Sequence, residues 1–176
     1  MGILQFPYVD GMKMKAIYAG SFDPVTNGHL DIIKRARDIF GEIIVAVLDN
    51  TSKKGLFTVE ERKKLLHEVL DGMEGIEIDS FDGLLVDYAK KKNCNVIVRG
   101  LRSASDYFSE YTLAMANKNY KYGVETVFLL SSNENLFVSS TLAKEVATFD
   151  GDTDLFVPPI VGEAMKKKLL RRKIWI

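Results

Sequence analysis

Residues 20–29 read Gly20-Ser21-Phe22-Asp23-Pro24-Val25-Thr26-Asn27-Gly28-His29, and their reading decides the fold. The run before them, Lys15-Ala16-Ile17-Tyr18-Ala19, has the composition of a strand. The run after them, Leu30 to Phe40, places Ile32, Ile33, Ala36, Ile39 and Phe40 on one helical face. A strand that enters a helix through such a loop leaves the first helical N–H groups unpaired, and these attract phosphate. Gly20 gives freedom for a sharp turn, Pro24 fixes the path, and Gly28 lets a ligand approach the backbone. Ser21 and His29 can each donate a hydrogen bond to a phosphate oxygen. The plainer alternative is an ordinary turn with a surface histidine. The pairing of Gly-Ser-Phe-Asp-Pro with Thr-Asn-Gly-His at fixed distance favours a nucleotide-phosphate site. No Gly-Lys-Ser/Thr follows, which excludes a Walker loop, and the glycine spacing is not that of the dinucleotide fingerprint.

Outward from this loop the chain alternates strand and helix patterns. Ile43 to Leu48 is a continuous apolar strand, the mark of burial on both faces, with Gly41 ending the helix before it. Thr58-Val59-Glu60-Glu61 is a capping box for a helix reaching about Leu70. Strands are predicted at 76–80, 94–98 and 126–130, and helices at 83–92 and 106–120. A helix capped by Ser139 or Ser140 runs to about Phe149, and Pro158-Pro159 opens a terminal one. The fold class is therefore α/β: one Rossmann-like domain, a five-stranded parallel sheet with helices on both faces. Ligands of such sheets bind beyond the carboxyl ends of the strands, so the loops 20–28, 99–102 and 131–141 should share one crevice.

Composition bounds the function. The 176 residues suit one domain, and 24 Lys and Arg against 24 Asp and Glu give no surplus for a nucleic-acid partner. The basic tail, Lys166 to Lys168 and Arg171 to Lys173, reads as a solvated helix end, with a membrane or nucleic-acid contact as the alternative. No stretch is long enough to span a bilayer, so no membrane role is expected. The single cysteine, Cys94, excludes a disulfide framework, fits a cytoplasmic setting, and lies in an apolar run as a structural thiol. Residues 1–12 read as an extension ahead of the domain (13–176), native or added, with Met12 or Met14 as candidate natural starts.

Several spaced stretches carry a resemblance: Gly20 to Pro24 with Thr26 to His29, Thr51 to Lys54, Phe57 to Arg62, Val98 to Arg102 and Val138 to Leu142. Together they resemble the bacterial phosphopantetheine adenylyltransferases of the nucleotidyltransferase superfamily, over nearly the whole chain. The resemblance implies transfer of the adenylyl group of ATP to 4′-phosphopantetheine, giving dephospho-coenzyme A and pyrophosphate, with Mg²⁺ as cofactor. It also implies a homohexamer and feedback inhibition by coenzyme A.

On the same resemblance His29 stabilises the transition state, helped by Ser21 and Lys53. Ser21, Lys53, Leu85, Arg99 and Asn117 then bind the acceptor, with Leu84 beside Leu85. ATP falls to Ser21, Phe22, His29, Gly100, Leu101, Arg102, Glu110 and the run Asn135, Leu136, Phe137, Val138, Ser139, Ser140 and Thr141. The chemistry agrees: guanidinium forks match phosphate, a lysine supplies a mobile point charge, and Ser139–Thr141 offer hydroxyls and amides at a helix start. Each group has a structural alternative, namely a solvated Lys53, arginines in ion pairs, serines that only cap, and leucines at a buried helix start. No protein ligand for the metal is expected, since Mg²⁺ travels on phosphates and water. Around Glu110 the run Asp106-Tyr107-Phe108-Ser109 departs from the family pattern, and Leu136-Phe137 stands where a tryptophan is often found. Two rivals remain, another nucleotidyltransferase of the same fold and a non-catalytic nucleotide sensor. Thr26 in place of a first histidine argues against the former, and the joint presence of His29, Lys53 and Arg102 against the latter.

Overall fold

A computed structural model describes residues 14–49, 55–120 and 123–173, so Lys53 and the 1–12 extension lie outside the described residues. The strands are β1 (Met14–Gly20), β2 (Gly41–Leu48), β3 (Ile76–Phe81), β4 (Val96–Leu101) and β5 (Glu125–Leu130). The helices are α1 (Asn27–Phe40), α2 (Val59–Val69), α3 (Leu85–Lys91), α4 (Ala104–Asn119), α5 (Ser140–Thr148) and α6 (Pro159–Lys173). The sheet is wholly parallel in the order β3-β2-β1-β4-β5. The order reverses between β1 and β4, and there the crevice opens.

Two apolar layers flank the sheet. On one face Ala16, Tyr18, Val45, Val47 and Val98 pack against Ile32, Ile33 and Ala36 of α1, Leu65 and Leu66 of α2, Ala143 of α5 and Met165 of α6. On the other, Ile17, Ala19, Ile44 and Ile97 pack against Val86, Tyr88 and Ala89 of α3. The alternation of faces along β1 and β2 follows from the two-residue pleat. Helix α4 buries no residue fully, and Tyr107, Phe108, Tyr111, Leu113 and Met115 stay exposed on it.

Three local expectations are corrected. The fourth strand does not begin at Cys94. Asn93 turns into the left-handed region (φ 50°), the Cys94 amide still bonds back to Ala89, and the strand starts at Val96. At its other end β4 continues through Arg99, Gly100 and Leu101, which pair with Phe128, Leu129 and Leu130 of β5. The sharp turn after β1 falls on Phe22 (φ 47°) rather than on Gly20. Gly20 is needed for another reason, because a Cβ there would stand 3.2 Å from the Phe22 ring. The predicted helix at 83–92 begins only at Leu85, since Gly83 takes φ 77°.

Candidate functional site

The ladder between β1 and β4 joins Ile17 to Ile97 and Tyr18 to Val98 and then stops. Beyond it β4 stays with β5 while β1 stays with β2. The Arg99 guanidinium spans the fork, donating from Nη1 to the Ala19 carbonyl at 2.7 Å. It also grips Glu110 of α4 with two parallel bonds of 2.6 Å, Nε to Oε2 and Nη2 to Oε1. Such a bidentate pair fixes both side chains in one plane.

Two cavities meet at this pair, sharing Ala19, Gly20, Arg99 and Glu110 as a common wall. The first, about 290 Å³, receives Gly28 and His29 of α1, Gly100 and Arg102 after β4, and Ser131 with Val138 to Thr141 before and in α5. The three loops thus converge on one crevice. The second, about 360 Å³, is more apolar, lined by Leu48, Phe81, Leu84, Leu85, Leu113 and Asn117 among others.

The histidine of the motif owes its orientation to helix capping. Thr26, 2% exposed, is the N-cap of α1, and its Oγ1 accepts the His29 amide at 3.3 Å. The His29 ring returns the bond, Nδ1 accepting the Thr26 amide at 3.0 Å. This is a capping box in which histidine takes the place usually held by glutamate or glutamine. With Nδ1 occupied as an acceptor, the neutral ring carries its proton on Nε2. Burial in the cavity, together with the nearby Arg102 and Arg99 cations, pushes the His29 pKa down to about 4. The site therefore holds a neutral N–H donor at physiological pH.

The other motif letters hold the frame. The Asn27 amide group donates to the Asp154 and Leu155 carbonyls, tying α1 to the loop before α6. A Cβ on Gly28 would make only ordinary contacts, 3.7 Å from Asn135 and Thr26, so packing does not require glycine there. The space above it belongs to the cavity. Buried Asp23 accepts the Leu56 and Phe57 amides at 2.9 and 2.8 Å and pairs with Lys144 at 3.2 Å. Arg62, 8% exposed, donates to the Ser21, Leu48 and Phe57 carbonyls and so locks the ends of β1 and β2 together.

Arg102 is held by Asp106 through Nε at 3.0 Å and by the Val138 carbonyl through Nη1 at 3.1 Å. Ser139 caps α5 by accepting the Leu142 amide, and Ser140 donates to the Pro24 carbonyl at 2.7 Å. The N-termini of α1 and α5 are thereby fastened side by side at the first cavity, two donors of positive partial charge facing one space.

The site residues expected from sequence divide by location. His29, Gly100, Arg102 and Val138 to Thr141 line the first cavity, while Ser21, Leu84, Leu85 and Asn117 line the second. Arg99 and Glu110 stand between them, Glu110 as partner to Arg99. Phe22 and Leu101 are buried, and Asn135, Leu136 and Phe137 lie outside both linings. Sequence reading missed Tyr18, Asp23, Arg62 and Asp106. Asp23 and Arg62 stand in stretches that carry the resemblance, and Asp106 is an acidic residue four positions after Arg102 at a helix start.

Comparison with known proteins agrees with this fold. The family model described as cytidylyltransferase-like matches residues 17–146. The phosphopantetheine adenylyltransferase of Leptospira biflexa is 51% identical over 157 residues, covering 89% of this chain and 98% of that one. The protein of the same name from Desulfosudis oleivorans is 47% identical over 154 residues, 88% of this chain and 92% of that one. Among solved structures, the Plasmodium falciparum nicotinic acid mononucleotide adenylyltransferase complexed with NaAD superposes with a TM-score of 0.65. It shares 17% identity, covers 89% of this chain and 96% of its own, and so speaks for the fold alone.

Proposed function

The chain belongs to the cytidylyltransferase-like family, among its phosphopantetheine adenylyltransferases, and on that premise we propose how its two cavities divide the work. The reaction is transfer of the adenylyl group of ATP to 4′-phosphopantetheine, with release of pyrophosphate, in coenzyme A biosynthesis. ATP takes the polar first cavity and the pantetheine arm takes the apolar second one. The observation that carries this division is the shared wall at Gly20 and Arg99, where a phosphate entering from the second cavity meets a phosphate held in the first.

An oxygen of the acceptor phosphate attacks the α-phosphorus of ATP, and the bond to the β-phosphate breaks, its electron pair leaving with pyrophosphate. The attacking oxygen belongs to the substrate, so the chain needs to hold and neutralise rather than to attack. His29 Nε2–H, the Gly28 amide at the α1 start and the Ser140 and Thr141 amides at the α5 start face the oxygens on which charge grows, the Asn27 and His29 amides being given to Phe156 and Thr26. Arg102 holds the nucleotide phosphates. Arg99 keeps N–H groups beyond those given to Glu110 and Ala19, and these bind the acceptor phosphate. Ser21 joins them from the end of β1, and Lys53, outside the described residues, is assigned to the set from the sequence alone.

Nucleotidyltransferases of this family use a divalent metal. Among the described residues no group of three or more histidine, cysteine or acidic side chains could cage one. The carboxylates nearest the crevice, Asp106 and Glu110, are each engaged by an arginine. The metal in this reading is Mg²⁺ entering as part of the substrate MgATP, and no residue of the chain is assigned to it.

Coenzyme A, which carries an adenylyl and a pantetheine half, would fill both cavities and act as feedback inhibitor. The exposed apolar side chains of α4 fit an interface between copies of the chain, and the homohexamer rests on the family resemblance. A cytoplasmic location goes with this reading. The decisive assay is pyrophosphate release from MgATP by the purified protein. Release is expected with 4′-phosphopantetheine and not with nicotinate mononucleotide; the opposite pattern overturns the assignment.

A further inference from the structure

Tyr18 sits at the end of β1 with 7% of its surface exposed, its ring edge-on to Phe22 at 5.5 Å and tilted to His29 at 6.4 Å. The ring is packed in the core while the hydroxyl opens to the first cavity, where a polar group is placed to meet an occupant. The hydroxyl has no hydrogen-bond partner among the described residues, although phenylalanine would fill the same ring space without a polar atom to satisfy. The hydroxyl reaches the floor of the first cavity, where a Cβ built on Gly100 would stand 3.7 Å from it.

The charged groups near the hydroxyl are engaged with one another rather than with it. Arg99 and Arg102 are donors only. Both Glu110 oxygens are taken by Arg99, both Asp106 oxygens face Arg102, and Asp31 accepts from Arg35 and the Ser132 amide. Burial pushes the phenol pKa upward, which keeps its proton in place. A protonated donor at the base of a cation-lined cavity lacks an acceptor, and the occupant of the cavity can supply one.

We propose that the Tyr18 hydroxyl is a nucleotide-binding group, donating a hydrogen bond to an oxygen of ATP in the first cavity. The inference rests on the reading of that cavity as the ATP site. The test is calorimetric titration of ATP into the wild type, Tyr18→Phe and Arg102→Ala, with thermal melting of each. Tyr18→Phe should bind ATP about five- to tenfold more weakly, the scale of one lost hydrogen bond. Its melting temperature should not fall, because no protein partner is orphaned, and its KM for 4′-phosphopantetheine should not change. Wild-type ATP affinity in Tyr18→Phe, with weakened binding in Arg102→Ala, overturns the Tyr18 assignment and leaves the cavity reading standing. Undiminished binding in both variants overturns the cavity reading and the inference with it. Weaker binding accompanied by a clear drop in melting temperature makes Tyr18 a packing residue and also refutes the proposal.

Discussion

His29 serves the helix and the chemistry at once, and two substitutions separate these duties. His29→Ala removes the ring from both. The Thr26 amide loses the Nδ1 acceptor that lies 3.0 Å away, half of the capping box, and the cavity loses its Nε2–H donor. The stability loss should be about 1 kcal/mol, the usual scale of a lost cap. The activity loss should be on the order of 10²- to 10³-fold in kcat, or about 3–4 kcal/mol of barrier, as for one preorganised donor aimed at developing charge. His29→Gln is the discriminating variant. Glutamine is a natural partner in this capping box, so its amide oxygen can accept from Thr26 and restore the helix start. Engaged there, it has no rigid N–H at the place of Nε2. Stability should return close to wild type while kcat stays depressed to nearly the alanine level. The assay is pyrophosphate release at saturating MgATP and 4′-phosphopantetheine, with denaturant unfolding alongside. Wild-type kcat in His29→Gln would refute the assignment of Nε2–H to the transition state. Recovery of neither stability nor activity would refute the capping argument.

The same histidine makes stability depend on pH. Its folded pKa of about 4 lies below the unfolded value of 6.5, so the unfolded chain takes up the proton first. Stability from this group is complete above about pH 6.5 and declines as pH falls toward 4, by roughly 3 kcal/mol, a slope that His29→Gln should remove in urea titrations. Glu110→Ala leaves the Arg99 guanidinium without its main partner in a half-buried wall. It should destabilise the fold by about 2 kcal/mol and raise KM for both substrates, whereas loss of stability alone would deny the pair a role at the shared wall. Cys94 is buried, donates to the Lys15 carbonyl, and has its thiol pKa raised by burial. Cys94→Ala should therefore keep wild-type turnover, and thiol-directed alkylation of the native protein should be slow.

The elements legible in sequence are those whose determining interactions are short-ranged and repeat along the chain, while the single-residue turns at Phe22, Asn93 and Gly83 were not legible. The Thr58–Glu61 box that opens α2 spans three residues and was read directly, whereas the Thr26–His29 box was not, because histidine stands where glutamate or glutamine is usual. The periodicity of α1 and the apolar run of β2 likewise declare themselves within a turn or two of chain. These elements in alternation require a parallel sheet, and a parallel sheet places its ligands at the carboxyl ends of its strands. The convergence of the 20–28 loop, the Arg99–Arg102 run and the Ser139–Ser140 helix start on one crevice was legible on those grounds alone.

Tertiary structure decided what depends on the order of the strands. The departure of β4 from β1 after Val98 creates the crevice, and no local pattern marks it. Asp23 is committed to amides 33 and 34 residues away, Arg62 to a carbonyl 41 residues away, and Arg99 to one 80 residues away. An acid or an arginine read alone cannot disclose whether it will meet a ligand or an unpaired backbone group, because both offer the same chemistry. By itself the sequence determined the fold class, the loop and its histidine. The strand order then settled which polar groups the protein satisfies internally and which, like the Tyr18 hydroxyl, face the cavity without a partner among the described residues.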